Sequence, residues 1–243
     1  MPKVVCGYPK WIDHKEMPIW SLDAQPNGYR LLTAGGDNKI KIWNLLPIIS
    51  SKHELEDTDE DEENEENNEH IKYLESLFEK EEHKKEKLLA TLGLHSSPIN
   101  IVRWNKLGTV FASASDDGTI YIWHYRGLKK GSFEDRDKIQ EDWTAAKSLR
   151  GHKDNVFQVS WAPDSVHLAS WGVDGVIYIW DIHNSNPIHI LKGHDNYVNG
   201  LVFDPFNKNL VSQSNMEKKL VVWKIHDNFK KFTKGKIIVL TNF

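Results

Sequence analysis

The sequence predicts an all-β fold built from four copies of one four-stranded antiparallel unit. Three observations carry this expectation. A His is followed 22 or 23 residues later by an acid and, six residues further on, by a Trp. This occurs four times: His14–Asp37–Trp43, His95–Asp117–Trp123, His152–Asp174–Trp180 and His194–Glu217–Trp223. Each Trp ends an apolar run, IKIW, IYIW, IYIW or LVVW. Ten Trp, nine Phe and seven Tyr supply the aromatic side chains that strands favour. Self-similarity at a fixed offset marks a repeat architecture, which builds a scaffold.

Within each repeat the elements follow one order. An apolar strand comes first, as in INIVRW, VFQVSW and VNGLVF. A turn rich in Pro, Asn, Asp or Gly follows: QPNG, NKLG, APDS and DPFN. Next is a short strand with a hydroxyl four residues ahead of the Asp, namely Thr33, Ser113 and Ser170. A tight turn holding the acid (GGDNK, SDDGT, GVDGV) leads into the Trp strand. A fourth strand precedes each following His, LLATL, KSLR or IHILK, and KIIVL at 236–240 closes the last repeat. Strands so punctuated read as antiparallel meanders, and four per repeat make one blade of a β-propeller. The blades are expected at about 14–49 with 88–93, 95–150, 152–192 and 194–241.

Two insertions interrupt this plan, and both are expected between blades, where loops can grow without disturbing a sheet. The first, about 50–87, opens with an acidic run. Its HIKYLESLFEKEEHKKEKLL stretch could set Ile71, Leu74, Leu77 and Phe78 along one side of a short helix. The second, about 125–145, is polar and holds Lys129, Lys130 and a lone Trp143.

Composition narrows the function classes. Cys6 is the only cysteine, so no internal disulfide forms, which fits a reducing compartment. MPKVVCGYPKW lacks an apolar leader core, and no apolar stretch approaches membrane-spanning length, so secretion and membrane insertion are not expected. The net charge of −4 is uneven. Residues 54–69 hold eleven acids and no Lys or Arg, so the rest of the chain carries +7.

Ser, His and Asp recur together, the composition of a hydrolase triad. A catalytic triad occurs once, however, and this set recurs with every Trp, as a structural network would. His183, His189 and His194 are close in sequence, but strand alternation separates neighbours, and there is no Cys pair or HExxH. No glycine-rich phosphate loop opens a helix. No catalytic residue, cofactor or metal is therefore expected. Surface recognition remains. Trp20, Asn100, Phe157 and Asn199 follow the first apolar position of each first strand and are expected near one mouth of the central channel, with Trp171 near the same rim. Tyr121 and Tyr178 point away from the flanking Ile residues and are expected to pack between blades.

With Gly151–His152, Gly193–His194 and Trp180–Asp181 in place, the chain resembles the WD-repeat β-propellers; Trp-Asn, Trp-His and Trp-Lys replace Trp-Asp elsewhere. The resemblance implies a hydrogen-bonded tetrad in each blade: His14, Thr33, Asp37 and Trp43; His95, Ser113, Asp117 and Trp123; His152, Ser170, Asp174 and Trp180. In the fourth, Glu217 stands for Asp, and Ser212 or Ser214 supplies the hydroxyl beside His194 and Trp223. This blade is expected to be the least regular. The resemblance also implies that a strand near Lys3–Cys6 completes the final blade of a ring. That blade is missing here, so the chain is expected to be the N-terminal part of a larger, seven-bladed propeller.

The opening KWIDHKEMPIWSLDAQPNGYRLLTAGGDNKIKIWNLLPII, with Pro47 after the first Trp strand, is similar to the start of the HIRA (histone regulator A) chaperone family. EDWTAAKSLRGHKDNVFQVSWAPDSVHLAS and GLVFDPFNKNLVSQS are similar too, and almost equally so to the middle subunit of chromatin assembly factor one. HIRA-like membership implies a nuclear scaffold for replication-independent histone deposition and transcriptional regulation. Ubinuclein-like chaperone subunits and core histones would be its partners, with weak or no direct DNA binding and no membrane. The alternatives are the replication-coupled paralogue and a generic WD-repeat adaptor such as a ubiquitin ligase receptor. The acidic run reads as a solvated insertion or as an arm engaging basic histone surfaces.

Overall fold

The structure is a computed structural model, and it describes residues 12–45, 88–129 and 141–239. These form sixteen strands in four antiparallel sheets, and no helix occurs among the described residues. The first sheet contains β1 (Ile19–Ala24), β2 (Arg30–Gly35), β3 (Ile40–Asn44) and β4 (Leu88–Leu92). The second contains β5 (Ile99–Trp104), β6 (Val110–Ser115), β7 (Thr119–Leu128) and β8 (Glu141–Arg150). The third contains β9 (Val156–Trp161), β10 (His167–Gly172), β11 (Ile177–Asp181) and β12 (His189–Leu191). The fourth contains β13 (Gly200–Phe203), β14 (Asn209–Ser214), β15 (Lys219–His226) and β16 (Lys231–Val239). In every sheet the spatial order is the chain order, so each is a simple meander.

The sheets pack face to face in sequence. Their first strands are neighbours, β1 beside β5, β5 beside β9 and β9 beside β13, which puts these strands innermost. Alternation along each strand sends successive side chains to opposite faces, so each blade offers one apolar face backward and one forward. Leu32, Ala34, Ile40 and Ile42 of the first blade meet Val102, Trp104, Phe111 and Trp123 of the second. Ala112, Ile120 and Ile122 then meet Val159, Leu168 and Trp180 of the third. Ala169, Ile177 and Ile179 meet Leu201, Leu210 and Trp223 of the fourth. Burying one such Leu or Ile contributes about 1.5–3 kcal/mol, so each blade's stability depends on its neighbour. Tyr121 and Tyr178 lie on the faces opposite their flanking Ile residues and pack at the first and second of these interfaces. Leu22 shows the same dependence from the other side. Val102, Val159 and Leu201, its counterparts in later blades, are buried by the preceding blade, whereas Leu22 is 63 % exposed.

Several expectations are corrected. Residues 125–145 are not an inter-blade insertion. β7 and β8 are each ten residues long and pair from Thr119↔Arg150 to Leu128↔Glu141, so both described ends of this segment are paired strand inside the second blade. Trp143 is buried in the core between the first and second blades, edge-on to Trp104 at 5.7 Å. Residues 50–87 likewise join the third and fourth strands of one sheet rather than two blades. The helix expected over Ile71–Phe78, the Lys3–Cys6 strand and the acidic insertion lie outside the described residues. The last strand begins at Lys231, five residues earlier than KIIVL suggests.

Candidate interaction surface

The His, hydroxyl and Trp of each repeat converge inside their blade, and the carboxylate joins them in the first three. In the third blade, the Trp180 indole N–H donates to Ser170 Oγ at 2.7 Å, Ser170 Oγ lies 2.8 Å from His152 Nε2, and His152 Nδ1 lies 3.0 Å from Asp174 Oδ2. The second blade repeats this through Trp123, Ser113, His95 and Asp117 at 2.9, 2.8 and 2.8 Å. The first does so through Trp43, Thr33, His14 and Asp37 at 2.7, 2.8 and 2.7 Å. The donors fix the proton order. Indole can only donate, so the hydroxyl accepts from it and gives its own proton to His Nε2, leaving Nδ1–H for the carboxylate. Burial pushes the His95 imidazole below its usual value despite the opposing pull of Asp117, which keeps the ring in the neutral form this order requires. At Asp174, burial would raise the carboxyl, but His152, the Val176 amide and the Tyr178 hydroxyl together outweigh it and the group ends below its usual range.

The fourth tetrad is incomplete. Ser212, not Ser214, is the hydroxyl: it accepts from Trp223 Nε1 at 2.9 Å and lies 2.8 Å from His194 Nε2. Glu217 Oε2 stands 3.5 Å from His194 Nδ1 without forming a hydrogen bond and pairs instead with Lys219 Nζ at 3.0 Å, which leaves His194 Nδ1 buried without a hydrogen-bond partner. The longer carboxylate instead places Oε1 on the backbone N–H groups of Asp195 and Asn196 at 2.7 and 2.8 Å. Burial opposes ionisation of Glu217, yet these amides and Lys219 bring its pKa down to about 2. The Ser214 hydroxyl is also buried without a partner.

The three complete tetrads thus hold their polar atoms in internal bonds, and the exposed chemistry lies at the strand ends. Trp20, Asn100 and Phe157 are the extra residues of β-bulges: the register skips from Ile19 to Ser21, from Ile99 to Ile101 and from Val156 to Gln158. A bulge re-aims the side chain of its extra residue. At the third, the Asn155 carbonyl comes so close that a Cβ on Gly172 would collide with it. Trp20 is 48 % exposed, and Phe157 is also exposed. Asn100 is half-buried and donates to Asp116 Oδ1 at 2.7 Å and to the Val156 carbonyl at 3.0 Å, joining the second blade to the third. Asn199 is exposed just ahead of β13, its amide bonded to the Gln213 carbonyl at 2.7 Å. Trp171 departs from expectation. It is only 5 % exposed and packs in the core between the third and fourth blades, its edge against Phe157 at 5.7 Å, so it supports that anchor rather than serving as one. Sequence reasoning missed Met17, Tyr197 and Met216, exposed residues in the turns at this same edge of the sheets. No group of three or more metal-ligating side chains occurs among the described residues.

Comparison with known proteins accounts for this arrangement. The pattern describing the CAF1B/HIR1 β-propeller domain matches residues 65–241, and that of the WD domain, G-beta repeat, matches residues 8–44. The chain is 32 % identical over 226 residues to Protein HIR1 of Cryptococcus neoformans var. neoformans serotype D, covering 90 % of this chain and 23 % of that protein. It is 35 % identical over 179 residues to Protein HIRA of Zea mays, covering 72 % and 16 % respectively. Against a chromatin assembly factor 1 protein of Mus musculus it is 28 % identical over 230 residues, covering 87 % and 35 %. The chain therefore spans about a third or less of the length of each of these relatives. With four meander sheets, three complete His–hydroxyl–Trp–carboxylate tetrads and a matching pattern over most of its length, the chain belongs to the CAF1B/HIR1 β-propeller family.

Proposed function

We propose that the chain is a non-enzymatic interaction scaffold of a nuclear histone chaperone complex of the HIRA type, acting in replication-independent nucleosome assembly and transcriptional regulation. The observation that carries this reading is the row of first-strand positions at one mouth. Bulges present Trp20 and Phe157 outward there, while the His, Ser/Thr and Asp side chains that could do chemistry are bonded to one another inside the blades. Exposed aromatics on a rigid frame are the residues that anchor protein interfaces. Chaperone-complex subunits of the ubinuclein type, and core histones directly or through those subunits, are the proposed partners. Two lysine pairs, Lys129–Lys130 and Lys230–Lys231, give direct DNA contact a minor and salt-sensitive part. A second reading, the middle-subunit role in a replication-coupled chromatin assembly factor, draws support from the match to the mouse chromatin assembly factor 1 protein.

Affinity purification of the tagged endogenous protein with mass spectrometry tests both. Histones together with ubinuclein-like subunits are expected. Recovery of the other chromatin assembly factor subunits would move the assignment to the second reading. Recovery of ubiquitin ligase components without chromatin proteins would overturn both.

A further inference from the structure

The opposite mouth, at the edge of the blades where each first strand turns into the second, carries a feature unrelated to the bulged rim. The four turns are residues 25–28, 105–108, 162–165 and 204–207, and three of them are tied together. Gln25 Nε2 donates to the Gly108 carbonyl at 2.7 Å, and the Leu107 amide donates to Ser165 Oγ at 3.2 Å. Inside this tied rim lie two crevices of about 260 and 280 Å3 that share Lys106, Ser160 and Trp161. The second is walled by Trp161, Pro163, Val202, Phe203 and Pro205. Beside them stand the two most exposed large apolar side chains among the described residues, Leu107 at 68 % and Phe206 at 77 %. Both occupy the third position of their turns. One apolar side chain at a turn tip is ordinary, but here two stand at the same turn position in the second and fourth blades, next in sequence to Lys106 and Pro205 of the apolar crevice.

Charge at this mouth is one-sided in what remains free. Its acids are engaged within the protein. Asp23 accepts from the Trp104 amide at 2.7 Å, and Asp164 accepts from the Val166 and His167 amides and the His167 ring. Asp204 accepts from the Lys208 amide and the Asn209 side chain. Among the described residues the Arg103 guanidinium donates to the neutral oxygens of Ser21, Leu22 and Val102, and the charges of Arg103 and Lys106 both favour the ionised form of the half-buried Asp23. Lys106 and Lys208 are exposed, and neither forms an ion pair among the described residues.

We propose that this mouth is a second docking face, which takes a partner peptide carrying an apolar side chain beside a carboxylate. The apolar group enters the Trp161–Pro163–Val202–Phe203–Pro205 crevice, and the carboxylate meets Lys106 at its lip. The proposal deepens the scaffold reading, but its test needs no chaperone subunit, so the two can fail separately. The probe is a short fluorescein-labelled peptide with Asp-Asp-Leu-Phe at its centre, titrated by anisotropy against the full chain. A Lys-Lys-Leu-Phe peptide and a DNA duplex of about 24 base pairs, long enough to collect several phosphate contacts, are the comparators. The acidic peptide is expected to bind, and Lys106→Glu or Phe206→Ser to weaken it at least about fivefold. Both side chains are exposed, so the melting temperature stays unchanged. Trp20→Ser at the other mouth leaves affinity intact. Equal binding of the basic peptide, indifference to both substitutions, or binding of the duplex alone overturns the proposal. So does binding that emerges only after the acids of residues 54–69 are changed to Asn and Gln, which would make that run the occupant.

Discussion

At the scale of single residues, the tetrads show why one methylene matters. Asp117 and Asp174 reach the imidazole because a short carboxylate in a tight turn points back along the blade. Glu217 overreaches and is captured by two backbone amides instead. His152 therefore makes two hydrogen bonds within its tetrad, one of them to a carboxylate, whereas His194 makes only the bond to Ser212. A hydrogen bond to a charged group contributes about 1.5–3 kcal/mol, so His194→Ala should destabilise less than His152→Ala by roughly that amount. Chemical denaturation of the two variants, followed by tryptophan fluorescence, reads the difference directly. Equal losses would mean that the fourth carboxylate supports its His as well as the others do. The recurring His, acid and Trp are visible in the sequence because their spacing is rigid. Whether Ser212 or Ser214 supplies the hydroxyl is not, since both are buried and only the register that pairs Ser212 with Val221 decides it. Trp171 resists placement for a similar reason: proximity to the rim in sequence says nothing about which face of β10 a side chain occupies.

At the scale of elements, the β7–β8 hairpin is the feature least legible from sequence. The sequence between the two strands is polar, and polarity reads as a loop, yet β8 opens with Glu141, one partner of a buried inter-blade pair. Arg30 Nη2 lies 2.6 Å from Glu141 Oε1, with side-chain exposures of 12 % and 3 %. The Trp143 indole donates to Glu141 Oε2 at 2.8 Å, and the rings of Tyr29 and Tyr125 lie 4.7 and 4.9 Å from the guanidinium carbon. Sequence separation of 111 residues hides this pair from any local pattern. Breaking a buried ion pair from one side leaves an uncompensated charge, which costs about 3–5 kcal/mol, whereas replacing both partners by apolar groups is often near neutral. Arg30→Met alone should therefore destabilise strongly, and adding Glu141→Leu should recover most of the loss. A double-mutant cycle in urea checks this. Simple additivity of the two single losses would show that the pair is not coupled.

At the scale of the whole molecule, successive blades stabilise one another, so a titration inside one blade is felt by its neighbours. Burial holds the imidazoles of His95 and His124 below their ordinary value of 6.5, with His183 adding to the effect at His124. His194 is depressed in the same way, against the pull of Glu217. For a depressed His, the unfolded chain takes up its proton at a higher pH than the folded one does. The stability contributed by the neutral ring is then complete above pH 6.5 and is lost as pH falls below it. Glu217 adds a second window: its carboxylate is stabilised from 4.5 down to about 2, so its contribution disappears over that lower range. Asp164, Asp174 and Asp204, also held below 3.8, act with the same sign. Asp23, raised mainly by burial, acts with the opposite sign, but it is a single group against four. The melting temperature should consequently begin to fall as pH drops through 6.5 and fall further below about pH 4.5, with Asp23 opposing the fall. Replacing His95 by Asn, which is neutral at every pH, should shrink the upper window, leaving the share of His124 and His194, while the lower one stays in place. Thermal melts of the chain and of this variant between pH 8 and pH 3 measure both. An upper window that survives the substitution undiminished would assign it to groups outside the second tetrad.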